Sequence, residues 1–339
     1  MNKVSGFIGC SFFILLGMAL SSYVGKSGAS WPSMNYALPD SAKVRLGRFL
    51  FYDPILSRDN SISCASCHSQ YTAFTHVDHT VSHGIQDRIG TRNAPALINL
   101  AWKKHFMWDG AIHHIDAQAL APITNPLEMD ETLVHVVDKL QHHQKYPSLF
   151  YATFHDSVIT GELVLKSLSA FMLTLVSANS RYDSMQRGEI QFTSQETKGY
   201  RLFQRHCAAC HQEPLFTNDE FMNNGLLPDS IYNDRGRVKI SLNVKDSFCF
   251  MVPTLRNIEF SYPYMHDGRF KTLPEVFKHY TEGIVMSPTL SPLLRKKLIL
   301  TSNEKVDLMA FLLTLTDKKF LFDSSFSFPK ELKNIQFIK

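Results

Sequence analysis

Apolar residues recur at helical spacing in two separate stretches: Leu163, Leu165, Leu168, Phe171, Met172 and Leu175, then Val306, Leu308, Met309, Leu312, Leu313 and Leu315. Positions three and four apart share one helix face, so each stretch predicts an amphipathic helix with its apolar stripe against a core. The stretches also match in sequence, Ala170-Phe-Met-Leu-Thr-Leu175 beside Ala310-Phe-Leu-Leu-Thr-Leu315. Well upstream of each lies a second matched pair, Gly47-x-x-Leu-Phe51 and Gly199-x-x-Leu-Phe203. The chain therefore repeats a unit of leading helix, long middle and closing helix. Between the copies, polar residues and Gly188 interrupt the apolar period near Arg181–Thr193. Thr193 or Ser194, followed by Gln195 and Glu196, predicts the cap of the next helix. Strand signals are weak, so the expected fold is mainly α with long loops.

Chemistry enters just after each leading helix, as Cys-x-x-Cys-His at Cys64–His68 and at Cys207–His211. This pentapeptide is the attachment signal of c-type haem: Cys64 and Cys67, or Cys207 and Cys210, add to the haem vinyl groups, and the histidine becomes the proximal iron ligand. A redox disulfide has no need of the trailing histidine, and two separate Cys₂His sets would each leave zinc one ligand short. Two covalently bound haem c groups are expected, one in each of two cytochrome-c-like domains spanning residues 31–185 and 186–339. Of the remaining cysteines, Cys249 sits in the apolar run Phe248–Val252 and reads as a buried small hydrophobe. No structural disulfide is expected.

Residues 1–30 form a separate segment. Lys3 precedes an uncharged, mostly apolar run from Val4 to Val24, followed by Lys26 and small residues. The pattern is that of a secretory signal or an uncleaved membrane anchor, with Cys10 too early in the run to be a lipidation site. Haem is attached to such motifs outside the cytoplasm, so a periplasmic protein follows, soluble or tethered by this segment. Charge adds little. The 35 Lys and Arg against 31 Asp and Glu are scattered, with no basic run interleaved with aromatics. Nucleic acid is not an expected partner, and a small redox protein is.

Two clusters are richer in specific side chains than an electron carrier requires. One comprises Arg92–Asn99, Phe106-Met-Trp-Asp-Gly110, Gln118, Pro122 and Glu128-Met129; the other comprises Val252–Asn257 and Pro263–Phe270. With these residues the chain resembles the bacterial dihaem cytochrome c peroxidases and their relative MauG, from about Leu46 to Thr316. The resemblance implies a peroxidatic haem held through His68 and an electron-transfer haem held through His211. It implies that Trp108 lies between the haems and relays electrons, that Glu128 is the distal acid–base group, and that Gln118 orients peroxide. It also implies a calcium site from Asn93 with the carbonyls of Ser261 and Pro263, oxygen donors that suit Ca²⁺. Dimers are common in the family, so a homodimer is the implied assembly.

Departures from the peroxidase pattern matter as much. The sixth ligand of the electron-transfer haem is usually a methionine fourteen residues after the His of His-Asp-Gly; from His266 that count reaches Tyr280, the MauG residue, with Met265 and Met286 as nearby alternatives. A histidine usually caps the peroxidatic iron seven residues before Arg-Asn. Here that position is Ile85, with His83, His79 and His76 just upstream, so either His83 caps the iron or its distal face is open. Ala111 stands where the family usually has arginine. Three functions follow in order: a peroxidase reducing hydrogen peroxide with electrons from a small cytochrome c or cupredoxin; a MauG-like enzyme oxidising a side chain of a protein substrate; a non-enzymatic dihaem electron carrier.

Overall fold

The structure is a computed structural model and describes residues 30–333. The apolar leader and Cys10 lie outside the described residues. Among those described, no helix is long and apolar enough to cross a membrane. The four longest helices are α1 (Ser41–Tyr52), α2 (Gly161–Leu173), α3 (Ser194–His206) and α4 (Ser302–Leu313). Each begins at a side-chain cap: Asp40, Thr160, Thr193 and Thr301 accept hydrogen bonds from first-turn amides. Such a cap stabilises a helix by about 1 kcal/mol, and Glu196 and Glu304 return the bond to complete two capping boxes.

The repeat becomes two helix pairs, α1 on α2 and α3 on α4. The shared glycines lie where the helices cross. A Cβ on Gly47 would stand 1.8 Å from Ser167 O, and one on Gly199 1.9 Å from Asp307 O. Only hydrogen fits between backbones that close. One turn later Phe51 meets Phe171 at 5.1 Å and Phe203 meets Phe311 at 4.9 Å between ring centroids. The predicted stripe of α4 is too wide: Val306 is 56% and Leu313 41% exposed, while Leu308, Phe311 and Leu312 are buried. A helix packed against a single neighbour buries a narrow seam and leaves its flanks in water.

The polar segment between the halves departs from expectation by forming a short helix, Arg181–Gln186. A Ser180–Asp183 capping box starts it, and Gly188, at φ +73°, follows its end. The Asp183 carboxylate also receives both terminal nitrogens of the fully buried Arg256, each at 2.8 Å. A paired buried charge thus anchors what looked like a linker.

The long middles repeat as well. Asn99 donates its backbone N–H to Leu175 O, and Asn257 its own to Leu315 O, at 2.9 and 3.0 Å. Phe106-Met-Trp-Asp-Gly110 and Tyr264-Met-His-Asp-Gly268 form the same turn, with left-handed backbone at Met107, Gly110, Met265 and Gly268. Phe106 and Ile112 bridge one turn, Tyr264 and Phe270 the other. In this alignment Trp108 is the counterpart of His266. The named strands, β1 (Phe221–Met222) and β2 (Phe250–Met251), are one short antiparallel pair.

Two apolar clusters form the cores, one around each helix pair. The chain does not respect that division after α4. Asp317 accepts the amides of Ala178 and Asn179 at 2.9 and 2.8 Å, and Phe320, Leu321 and Leu332 enter the first core. Arg48, Tyr52 and Gln70 hold this returning segment through the carbonyls of Ser327, Phe326 and Asp323.

Candidate functional site

A single helical turn, Cys64–Cys67, presents both thiols and ends at His68. The His68 Nδ1–H donates to Phe74 O at 2.7 Å. Burial lowers the imidazole to about 4, so it is neutral, and Nε2 keeps its lone pair for a metal. His211 repeats the arrangement, with Nδ1 facing Phe216 O at 3.2 Å and Pro253 O at 3.1 Å and burial again lowering it to about 4. A neutral histidine with one nitrogen tied to a carbonyl, behind two thiols on one hydrogen-bonded turn, is the donor set of covalent haem c at both places.

One cavity opens in front of His68. Cys64, Cys67 and His68 line it together with Trp108, Gln118, Pro122 and Glu128, all from the first sequence cluster. Glu128 is largely enclosed. Burial raises its carboxyl above the usual range, and hydrogen bonds from Ser82 and Asn125 pull it partly back. Gln118 is buried at the end of the short helix Ile115–Gln118. Pro122 follows Trp108 by the same fourteen residues that separate Tyr280 from His266. Proline has no donor atom for iron, so the first half has no ligand at the position where the second half has a phenol. His83 also borders the cavity, but its ring lies tilted against His79 with the centroids 4.5 Å apart, and its Nε2 lies 3.5 Å from Asp87 Oδ1.

At the second centre Tyr280 lies in a π-helical turn, His279–Gly283, that continues the helix Leu273–Lys278. Such turns often mark functional positions. The phenol side chain is half-buried and pushed up to about 12, chiefly by burial, with Asn224 pulling the other way and the sulfurs of Cys207 and Cys210 adding to the rise. Met265 also meets Asn224, its sulfur 3.4 Å from the amide nitrogen. Met286 is 62% exposed, which leaves Tyr280 and Met265 as the groups near this centre.

Aromatic side chains join the two. Trp108 donates its indole N–H to Asn93 O and accepts the Met251 amide on its carbonyl, both at 2.8 Å. His266 meets the indole edge-on at 6.5 Å and stacks on Phe250 at 3.7 Å between centroids. Phe250 pairs across the strands with Met222, whose sulfur lies 3.4 Å from Cys210 Sγ. An unbroken line of contacts thus runs from the first cavity to the second haem motif. Asn93 packs on the same turn: its N–H donates to His266 O at 2.7 Å and its Nδ2 to Thr80 O at 3.1 Å.

Sequence reading missed the polar clamp here. Arg92 donates through Nε and Nη2 to Asp234 at 2.6 and 3.0 Å, and through Nη1 to Asp109 at 2.6 Å. Arg237 donates to Asp109 O at 3.0 Å and lies over Phe221. Its guanidinium comes from the other half of the chain and fills the space beside Gly110. The Met-x-Asp-Gly repeat was the available signal that these turns face each other. The pairing of charges across them had none.

A family model described as di-haem cytochrome c peroxidase matches residues 41–191, and one described as cytochrome c matches residues 196–316. The methylamine utilization protein MauG of Methylorubrum extorquens is 36% identical over 296 residues, covering 84% of this chain and 80% of that protein. The cytochrome c551 peroxidase of Nitrosomonas europaea is 34% identical, covering 70% of this chain and 72% of its own. A solved structure of a MauG-like protein associated with microbial copper homeostasis is 32% identical and aligns with a TM-score of 0.80, over 88% of this chain and 97% of that one.

Proposed function

This chain belongs to the family of dihaem cytochrome c peroxidases and MauG, enzymes of the oxidoreductase class that carry two covalently bound haem c groups, and on that premise we propose that it is a periplasmic peroxidase reducing hydrogen peroxide to water. The observation that carries this reading is the cavity itself, where the donor set of Cys64, Cys67 and His68 faces Gln118 and Glu128. Haem c bound there supplies the iron and the electron transfer that peroxide cleavage requires. Glu128 takes a proton from one peroxide oxygen and returns it to the other, which leaves as water. Gln118 would hold peroxide by hydrogen bonding, and Pro122, which has no donor atom, would supply no iron ligand that a prior reduction step must release. Trp108, His266 and Phe250 carry the two electrons between the centres. The donor is a small cytochrome c or cupredoxin, and two further protons complete the second water.

Asn93 Oδ1, with the carbonyls of Ser261 and Pro263, would hold calcium at the junction. Among the described residues no group of three or more His, Cys, Asp or Glu is arranged for a metal, so such a site rests on amide and carbonyl oxygens, as Ca²⁺ permits. A second reading, MauG-like oxidation of a protein side chain, is favoured by one observation: the phenol of Tyr280 beside Cys207 and Cys210. An anionic oxygen donor stabilises oxidised iron, where a thioether would favour reduced iron.

Peroxide consumption by the holo-protein with a reduced small cytochrome c, run beside Glu128→Gln, separates the readings. Turnover that collapses in the variant is expected. Negligible turnover by a protein that peroxide nonetheless oxidises would move the assignment to the MauG-like reaction.

A further inference from the structure

Ser82 belongs to no haem motif, yet it is buried, and its hydroxyl donates to Glu128 Oε1 at 2.8 Å. Its surroundings allow that hydroxyl little freedom. The Ser82 N–H donates to Arg92 O and its carbonyl accepts from Gly90 N–H, each at 2.8 Å. Gly90 lies so close that a Cβ there would stand 2.0 Å from Ser82 Oγ. Further along the loop, Gly84 lies flush on the Glu128 backbone, where a Cβ would meet Leu127 O at 2.2 Å and Glu128 O at 2.4 Å. Ile85 N–H then donates to Glu128 O at 2.8 Å. The loop from Ser82 to Gly90 thus grips Glu128 twice, by its backbone and by one carboxylate oxygen.

We propose that Ser82 is the positioning residue of Glu128: by occupying Oε1 it fixes the carboxylate so that Oε2 is the oxygen that takes the peroxide proton and gives it back. This rests on the reading of Glu128 as the acid–base group. A hydrogen bond donated to a carboxylate favours its ionised form, so the same contact keeps Glu128 able to accept a proton despite its burial. The groups facing the carboxylate are the Ser82 hydroxyl, the Asn125 amide and the Cys67 sulfur. None is charged once Cys67 carries its thioether. Of these protein groups, Ser82 and Asn125 are the two that draw the Glu128 carboxyl down, and a haem held in the cavity would add its own charge to theirs.

The test uses the holo-protein with Ser82→Ala, Ser82→Thr, Gly90→Ala and Glu128→Gln. Two quantities are read: the pH dependence of kcat and KM for peroxide, and the infrared carboxyl stretch of Glu128 against pH, assigned as the band absent from Glu128→Gln. Ser82→Ala removes the donor, and Gly90→Ala displaces it from a position that does not itself line the cavity. Both are expected to raise the carboxyl midpoint by about one pH unit and so to lower kcat about tenfold on the acid side of that midpoint, with KM within about twofold. Ser82→Thr keeps a hydroxyl and is expected to restore the midpoint. An unshifted midpoint in both Ser82→Ala and Gly90→Ala, beside an inactive Glu128→Gln, overturns this proposal alone. A Glu128→Gln variant with wild-type turnover overturns the reading of Glu128 and this proposal with it.

Discussion

At Glu128, burial lifts the carboxyl above its ordinary range while Ser82 and Asn125 lower it again. A base must be ionised to take a proton, so turnover should fall as pH drops through that raised value, at a higher pH than an exposed glutamate would set. Glu128→Gln should lower peroxide turnover about a hundredfold or more, and steady-state kinetics across pH would check both the loss and the position of the acid limb. At Tyr280 the phenol is pushed up to about 12, chiefly by burial, and needs a facing cation to ionise, a role ferric iron would fill. Tyr280→Met exchanges an anionic oxygen for a thioether and should raise the reduction potential of the second haem. A spectroelectrochemical titration in which that potential stays or falls would remove Tyr280 from the iron.

Helices α1 and α3 lead the two halves, and each is held by one glycine against its partner. Gly199→Ala drives a Cβ to within 1.9 Å of Asp307 O, backbone that cannot turn aside, so α3 and α4 must separate. Overpacking of this kind costs about 1–3 kcal/mol. Gly188→Ala is the control: φ is +73° but no atom lies within 4 Å of its added Cβ, so only the left-handed backbone resists, at about 1 kcal/mol. Urea unfolding of the two variants should rank them in that order. The glycines, their phenylalanines and the closing helices were legible in sequence because helical period and repetition are local properties. The helix Arg181–Gln186 was not, since its stability comes from Arg256, seventy-three residues from Asp183.

Across the whole molecule, the Arg92 clamp and the returning segment tie the halves together. Burial pushes the Asp234 carboxyl up, but the Arg92 hydrogen bonds and charge, with the Gly236 amide and Lys239, outweigh it and hold it at about 2. A carboxyl depressed in the folded state contributes stability above its unfolded value, near 3.9, and loses it as pH falls towards 2. Arg92→Met leaves Asp234, 5% exposed, without its main partner and should destabilise the protein by about 3 kcal/mol at neutral pH. That deficit should shrink between about pH 4 and pH 2 in urea titrations. The Arg92 guanidinium also lies over the Phe250 ring, 5.8 Å from its centroid, and a deficit independent of pH would show that this packing, not charge, is what Arg92 contributes.

By itself the sequence determined the chemistry and the repeat. Cys-x-x-Cys-His binds its haem through five consecutive residues, and the matched helices declare themselves by period, so both are written over short spans of chain. Only the tertiary structure decided what surrounds them. Ser82 reaches Glu128 across 46 residues and Arg92 reaches Asp234 across 142, and the segment after Asp317 returns to the first core. Such contacts follow from how the loops close between the helix pairs. A side chain's type does not say which distant loop will meet it, so the hydrogen bond on Glu128 and the joining of the halves became visible only once the chain was folded.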